Sequence, residues 1–76
     1  MEIAFTLEKP EQVEIVIFDL RGRLVARLLQ ESRTAGRHSV VWEGRDLRGS
    51  EVASGSYFAR FKAGGFEAQR RLTLVR

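Results

Sequence analysis

A chain of 76 residues without a cysteine holds at most one domain and has no disulfide framework, thiolate zinc site or cysteine nucleophile. At that size folding buries only about 60% of the surface the unfolded chain exposes, which leaves little room for a deep, water-excluding catalytic pocket. The net charge of +3 comes almost wholly from arginine, with lysine only at Lys9 and Lys62, and its interleaving with glutamate is the pattern of a solvated surface rather than a nucleic-acid footprint.

Apolar residues recur with period two through most of the chain. Ile3, Phe5 and Leu7 alternate with Glu2, Ala4 and Thr6, a strand with one buried face that Pro10 punctuates. Val13, Ile15 and Ile17 continue on one face. Val16 and Phe18 make the other face apolar too, as expected for a central strand covered on both sides. Arg21-Gly22 turns the chain. Residues 24–31 are ambiguous, because Leu24, Val25, Leu28 and Leu29 also fit a helical face among good helix formers. The short spacing between turn signals instead predicts a strand followed by a loop. After a bend at Ala35-Gly36, His38, Val40 and Trp42 alternate with Ser39, Val41 and Glu43. Beyond a loop over 44–55, Tyr57, Ala59, Phe61 and Ala63 alternate against Phe58, Arg60 and Lys62. The paired glycines at 64 and 65 predict a hairpin, since they supply the positive φ of primed two-residue turns. Phe66, Ala68, Arg70, Leu72 and Leu74 mark one face of the last strand. Six to seven short antiparallel strands predict an all-β fold, a small immunoglobulin- or fibronectin-III-like β-sandwich in a single domain over residues 1–76.

The stretch WEGRDLRGSEVASGSYFARF, residues 42–61, gathers the special residues, and its spacing argues against chemistry. Ser54 sits in Ala-Ser-Gly-Ser and not in a nucleophile elbow. His38 is the only histidine, and nothing local places Asp19 or Asp46 beside it. Glu43 and Asp46 would hold calcium only against the repulsion of Arg45 and Arg48. No glycine-rich loop precedes a helix to cradle phosphate. No catalytic, cofactor or metal residue is therefore expected, and no enzyme activity. Aromatics near Arg60, Lys62 and Arg70 resemble a single-strand nucleic-acid platform, but alternation alone sends the aromatics to the core and the basic residues outward. No apolar run approaches the roughly 20 residues of a membrane span, and no signal-peptide pattern opens the chain. An anionic polysaccharide or lipid is the non-protein partner that the charge would suit. The same stretch makes better sense as a folding hub. Trp42 would plug a thin core, Gly44 and Gly49 would allow sharp turns, and Asp46 would satisfy loop N–H groups. Tyr57, just after Ser54-Gly55-Ser56, is placed like a tyrosine corner, its hydroxyl bonding upstream backbone.

These residues also carry a family pattern. Phe5-x-Leu7 and Val13-x-Ile15-x-Ile17-Phe18-Asp19-x-x-Gly22-Arg23-x-Val25-x-x-Leu28 come first, then Ala35-Gly36-x-His38-x-Val40-x-Trp42-x-Gly44-x-Asp46-x-x-Gly49. Ser54-Gly55-x-Tyr57-Phe58 and Arg70-Arg71-Leu72-x-Leu74 complete it. The order resembles the immunoglobulin-like domain of the flagellar hook-capping protein and the related C-terminal sorting domains of the type IX (Por) secretion system. The Pro-Asn-Pro that usually precedes the first strand of that family is missing.

The resemblance implies a non-catalytic domain of a secreted or surface-anchored bacterial protein, recognised by type IX secretion machinery. The ending at Arg76, immediately after the last strand, would suit such a C-terminal signal. Arg70, Arg71, Leu72 and Leu74 are then the candidate recognition residues, with Arg71 pointing outward from a strand near a sheet edge. The alternative it implies is a structural assembly module with flagellar or cell-surface partners. A third role, an accessory carbohydrate-binding domain, would need a row of exposed aromatics, for which Phe58 is the obvious candidate.

Overall fold

In the computed structural model, which describes residues 1–76, the alternating segments become six strands. These are β1 (Glu2–Leu7), β2 (Glu11–Phe18), β3 (Leu24–Arg33), β4 (Gly36–Val41), β5 (Gly55–Ala63) and β6 (Phe66–Leu74). All pair antiparallel. β1 and β4 form a two-stranded sheet that faces a four-stranded sheet in the order β3-β2-β5-β6. The fold is thus the all-β, antiparallel, immunoglobulin-like one, with six strands.

β2 is central because both of its edges are paired, and its inward residues Val13, Ile15 and Ile17 are wholly inaccessible. Its outer face is also buried at Val16, yet no second layer covers it, contrary to the expectation from its apolar character. Val16 instead sits between Arg27 of β3 and Arg60 of β5, directly opposite it in the ladders. The Arg60 guanidinium lies 4.9 Å from the Phe18 ring centroid and reaches Glu14 at 3.5 Å and Glu67 at 3.8 Å. The long arginine stems roof the apolar surface, and the Arg60 head folds down with its stem, its Nε buried without a hydrogen-bond partner.

β3 runs unbroken to Arg33, which corrects the expected strand followed by a loop. Its helix-like spacing has a specific cause. The β2–β3 register shifts between Ile15 and Val16 and again between Ile17 and Phe18, leaving Leu28 and Val25 as extra residues on β3. Each bulge resets the inward phase. Val25-Ala26 are buried as an adjacent pair, and at Leu28-Leu29 the first is half-buried against the core and the second buried. Two bulged steps along a strand thereby imitate one face of a helix.

The hairpin between β5 and β6 has the two-residue loop expected, with Ala63 opposite Phe66. Of its glycines only Gly64 adopts a positive φ, 59°, so the turn needs one left-handed residue, the type II′ pattern, and not two. A Cβ on Gly64 would also lie 2.5 Å from a Glu11 carboxylate oxygen.

The core has two lobes. One gathers Ile17, Val25, Ala26, Tyr57, Ala59 and Leu72 around Trp42, and the other gathers Leu7, Val13, Ile15, Leu29 and Ala63. Two strands over four cannot cover the wider sheet. Burial therefore fades toward β6, where Phe66 is 61% exposed although it lies on the inward face.

Candidate functional site

The hub forms at the pole where β4 hands over to β5. Trp42 closes the end of the core at 2% exposure. Its indole Nε1 donates to the Arg45 carbonyl at 3.1 Å, and its ring meets Tyr57 edge to face with centroids 5.1 Å apart. Its backbone exchanges two bonds with Met1. Trp42 N donates to Met1 O at 2.7 Å, and the Met1 ammonium donates to Trp42 O at 2.9 Å.

The loop that follows closes on itself around Asp46. Its Oδ1 accepts the N–H groups of Arg48 at 2.9 Å and Ser50 at 3.0 Å. Its backbone accepts from Gly49 N at 3.0 Å and donates to Ser50 O at 2.9 Å. Val52 N then returns to Gly44 O at 2.9 Å. Gly44 is required there. It is buried with φ 73°, and a Cβ would meet the Arg76 guanidinium at 2.6 Å. Gly55 opens β5 opposite Leu74, and the Tyr57 hydroxyl donates to Ala53 O, four residues upstream, at 2.6 Å.

Arg76 completes this site, and the sequence reading passed over it. Its N–H donates to Ser54 Oγ at 3.0 Å, its Nε to Val52 O at 2.6 Å and its Nη1 to Glu51 at 2.9 Å, while Nη2 donates to Gly44 O. One side chain thus clasps the whole loop from outside the last strand. No periodic signal could have marked it, because it lies beyond the alternation and its partners are far off in sequence.

The four candidate recognition residues do not make one surface. Leu72 is buried in the Trp42 lobe and Leu74 packs half-buried against it. Arg70 shares their inward face on the uncovered half of β6 and is exposed. Arg71 points to the other face, where its Nη2 donates to Ser56 Oγ at 3.0 Å. Phe58 is half-buried opposite Phe18.

The groups considered for catalysis are held apart. His38 Nε2 donates to Thr34 O at 2.8 Å, and the ring stacks on Phe5 at 5.4 Å. Ser54 Oγ is bound to the Arg76 N–H, and Asp46 is engaged by its own loop. Asp19 caps the β2–β3 turn, accepting from Arg21 N and Arg23 N, each at 2.9 Å, and from Arg23 Nε at 2.8 Å. The backbone N–H of Arg23, above all, holds its carboxyl below the usual carboxylate range. Desolvation opposes that effect, and the Arg23 side chain and the Arg21 N–H add to it. No three His, Asp or Glu side chains converge. These contacts can brace a loop pole. They bring no nucleophile to a base.

Two comparisons bear on this architecture. A crystal structure of FLGD from P. aeruginosa superposes with a TM-score of 0.75 at 23% identity, over 95% of this chain and 60% of that one. The chain therefore spans about 60% of the length of that relative, and the likeness establishes the fold. No curated protein matches the chain. The FlgD Ig-like domain family matches residues 1–65, a span that takes in five of the strands, the Asp46 loop and the tyrosine corner. With most of its length matched in this way, the chain belongs to the FlgD Ig-like domain family.

Proposed function

We propose that the chain is a non-catalytic structural module that positions partner proteins in a flagellar or related exported assembly. The observation that carries this reading is the family match over residues 1–65. The site suits it, because its polar groups are engaged in bracing a loop against the ends of the chain and not in presenting a reactive atom. The sorting role rested on the same resemblance. The matches lend support to its hook-capping half and none to the type IX half, so assembly subunits are the partners proposed in place of secretion machinery.

The test is a chimera in which residues 1–76 replace the Ig-like segment of a hook-capping protein, scored for hook formation and motility. Hooks and swimming are expected. An exported, folded chimera that forms no hooks would count against the proposal. The sorting role would replace it if the same residues, fused behind a periplasmic reporter in a type IX host, carried the reporter to the surface.

A further inference from the structure

The pole loop carries a slot with the shape of one guanidinium. Three acceptors meet the three nitrogens of Arg76: Val52 O takes Nε at 2.6 Å, a Glu51 carboxylate oxygen takes Nη1 at 2.9 Å, and Gly44 O takes Nη2. A planar guanidinium fills such a fork, whereas an ammonium is a point donor that cannot span it. The loop builds the slot without its occupant. Asp46 Oδ1 gathers the Arg48 and Ser50 N–H groups. Val52 N donates to Gly44 O, which leaves the second lone pair of that carbonyl for the guanidinium. A Cβ on Gly44 would lie 2.6 Å from Nη2, so glycine keeps the entrance clear. The occupant is held more lightly than the slot. β6 ends at Leu74, Val75 is 81% exposed, and beyond its side chain Arg76 has one bond, from its N–H to Ser54 Oγ. Arg76 can therefore swing out without breaking a rung of the β5–β6 ladder, whose last pair is Gly55 and Leu74.

We infer that the slot is a receptor for an arginine side chain, filled in cis by Arg76 and open to an arginine of a different protein that displaces it. Net charge does not choose the ligand. Residues 43–54 hold three carboxylates, Glu43, Asp46 and Glu51, against two arginines, Arg45 and Arg48, and Arg45 is turned to Gly49 O. The layout of the acceptors does the choosing, and the ionised partner at Glu51 strengthens it. Arginine is also among the side chains that carry most of the binding energy at protein interfaces. Arg76 competes through its tether at an effective concentration of about millimolar order, so an incoming arginine needs further contacts beside the slot. Leu47, 61% exposed on the same loop, offers apolar surface for them. The inference rests on the reading of the chain as a protein-contact module only in taking the arginine to come from a protein, and ligand binding is measured independently of hook assembly.

The test uses Arg76→Ala, which empties the slot at a residue outside the core. The probe is N-acetyl-arginine amide, with N-acetyl-lysine amide as a control of equal charge. Each is titrated into the labelled 76-residue variant to about 10 mM, above the effective concentration of a short tether, and followed by amide NMR. Shift changes confined to residues 44–54 are expected, with the arginine amide bound about tenfold more tightly, as for the loss of one or two hydrogen bonds. In the parent the same probe should shift those amides less, because Arg76 competes. Adding Glu51→Gln to the variant, at an exposed residue, should weaken binding. Arg76→Lys, measured without any probe, should leave the loop amides exchanging as fast as Arg76→Ala does. Absence of shifts in Arg76→Ala, equal affinity for the two probes, an equal response in the parent, or full loop protection in Arg76→Lys would overturn the inference. No shifts are expected when unlabelled parent is added to the labelled variant, since its Arg76 sits in its own slot. Shifts there would make a second copy the donor and overturn the assignment to a different protein.

Discussion

Trp42 and Tyr57 meet edge to face beneath the Asp46 loop, and each also hands a polar atom to backbone, Nε1 to Arg45 O and Oη to Ala53 O. Removing the indole therefore opens a cavity and unties the loop at once. Trp42→Ala should cost about 3–5 kcal/mol against a total stability of about 5–15 kcal/mol, read by denaturant titration. An unchanged midpoint would contradict the packing described. Asp19 gives a pH dependence of known sign. Its carboxyl titrates lower in the folded chain than in the unfolded one. Its contribution is thus fully present above the unfolded value near ~3.9 and is lost as pH falls through the folded value. Asp19→Asn should be less stable than the parent at pH 6, with the gap in melting temperature narrowing as pH falls below the unfolded value. Both aromatic positions were legible in the sequence, Trp42 from alternation and Tyr57 from its place after Ser54-Gly55-Ser56. The Arg76 contacts were not, because they join the chain's end to carbonyls at 44 and 52 that no local pattern connects.

Among the elements, β3 and β6 departed furthest from what alternation could say. On β3 two bulges reset the inward phase, and a period-two reading has no means of placing a bulge from residue types alone. On β6 alternation placed Leu72 and Leu74 in the core, as found, but Arg70, read as an outward basic residue, shares the inward face with Phe66 and Ala68. Whether an inward face is covered depends on how many strands the opposite sheet has, which is a property of topology. The loop at 44–52 is an element in its own right, closed by Asp46 and clasped by Arg76. Arg76→Ala should leave the β2–β5 ladder protected while amides at Arg48, Ser50 and Val52 exchange about tenfold faster, an effect of the size expected when hydrogen bonds worth about 1 kcal/mol each are lost. Unchanged exchange in the loop would show that Asp46 alone suffices.

For the molecule as a whole the pairings that matter most are remote in sequence. Val13 lies opposite Ala63 and Glu2 opposite Val41, so much of the core forms only after long segments have been brought together. Closing such loops costs entropy before any contact rewards it. Refolding from denaturant should take milliseconds to seconds, the range of small β-sandwiches. A microsecond phase carrying the full amplitude would be inconsistent with this topology. Fold class was readable because six alternating runs admit few arrangements. The pairing of β1 with β4 across the sandwich, which leaves the inward face of β6 uncovered, was not, since strand alternation carries no information about which sheet a strand joins.

Met1 and Arg76 both fasten to the segment just after β4, at Trp42 and Gly44. Tension applied through the two ends therefore enters the domain at a single pole. It meets β1 at the Glu2–Val41 rung and β6 at the Leu74–Gly55 rung. The rungs are loaded one after another, as in opening a zipper, and not all together, as when strands are dragged along one another. The Met1 and Arg76 fastenings break first, and the two sheets then peel from the same end. Under load the domain should behave as a compliant link that lengthens early, at low force.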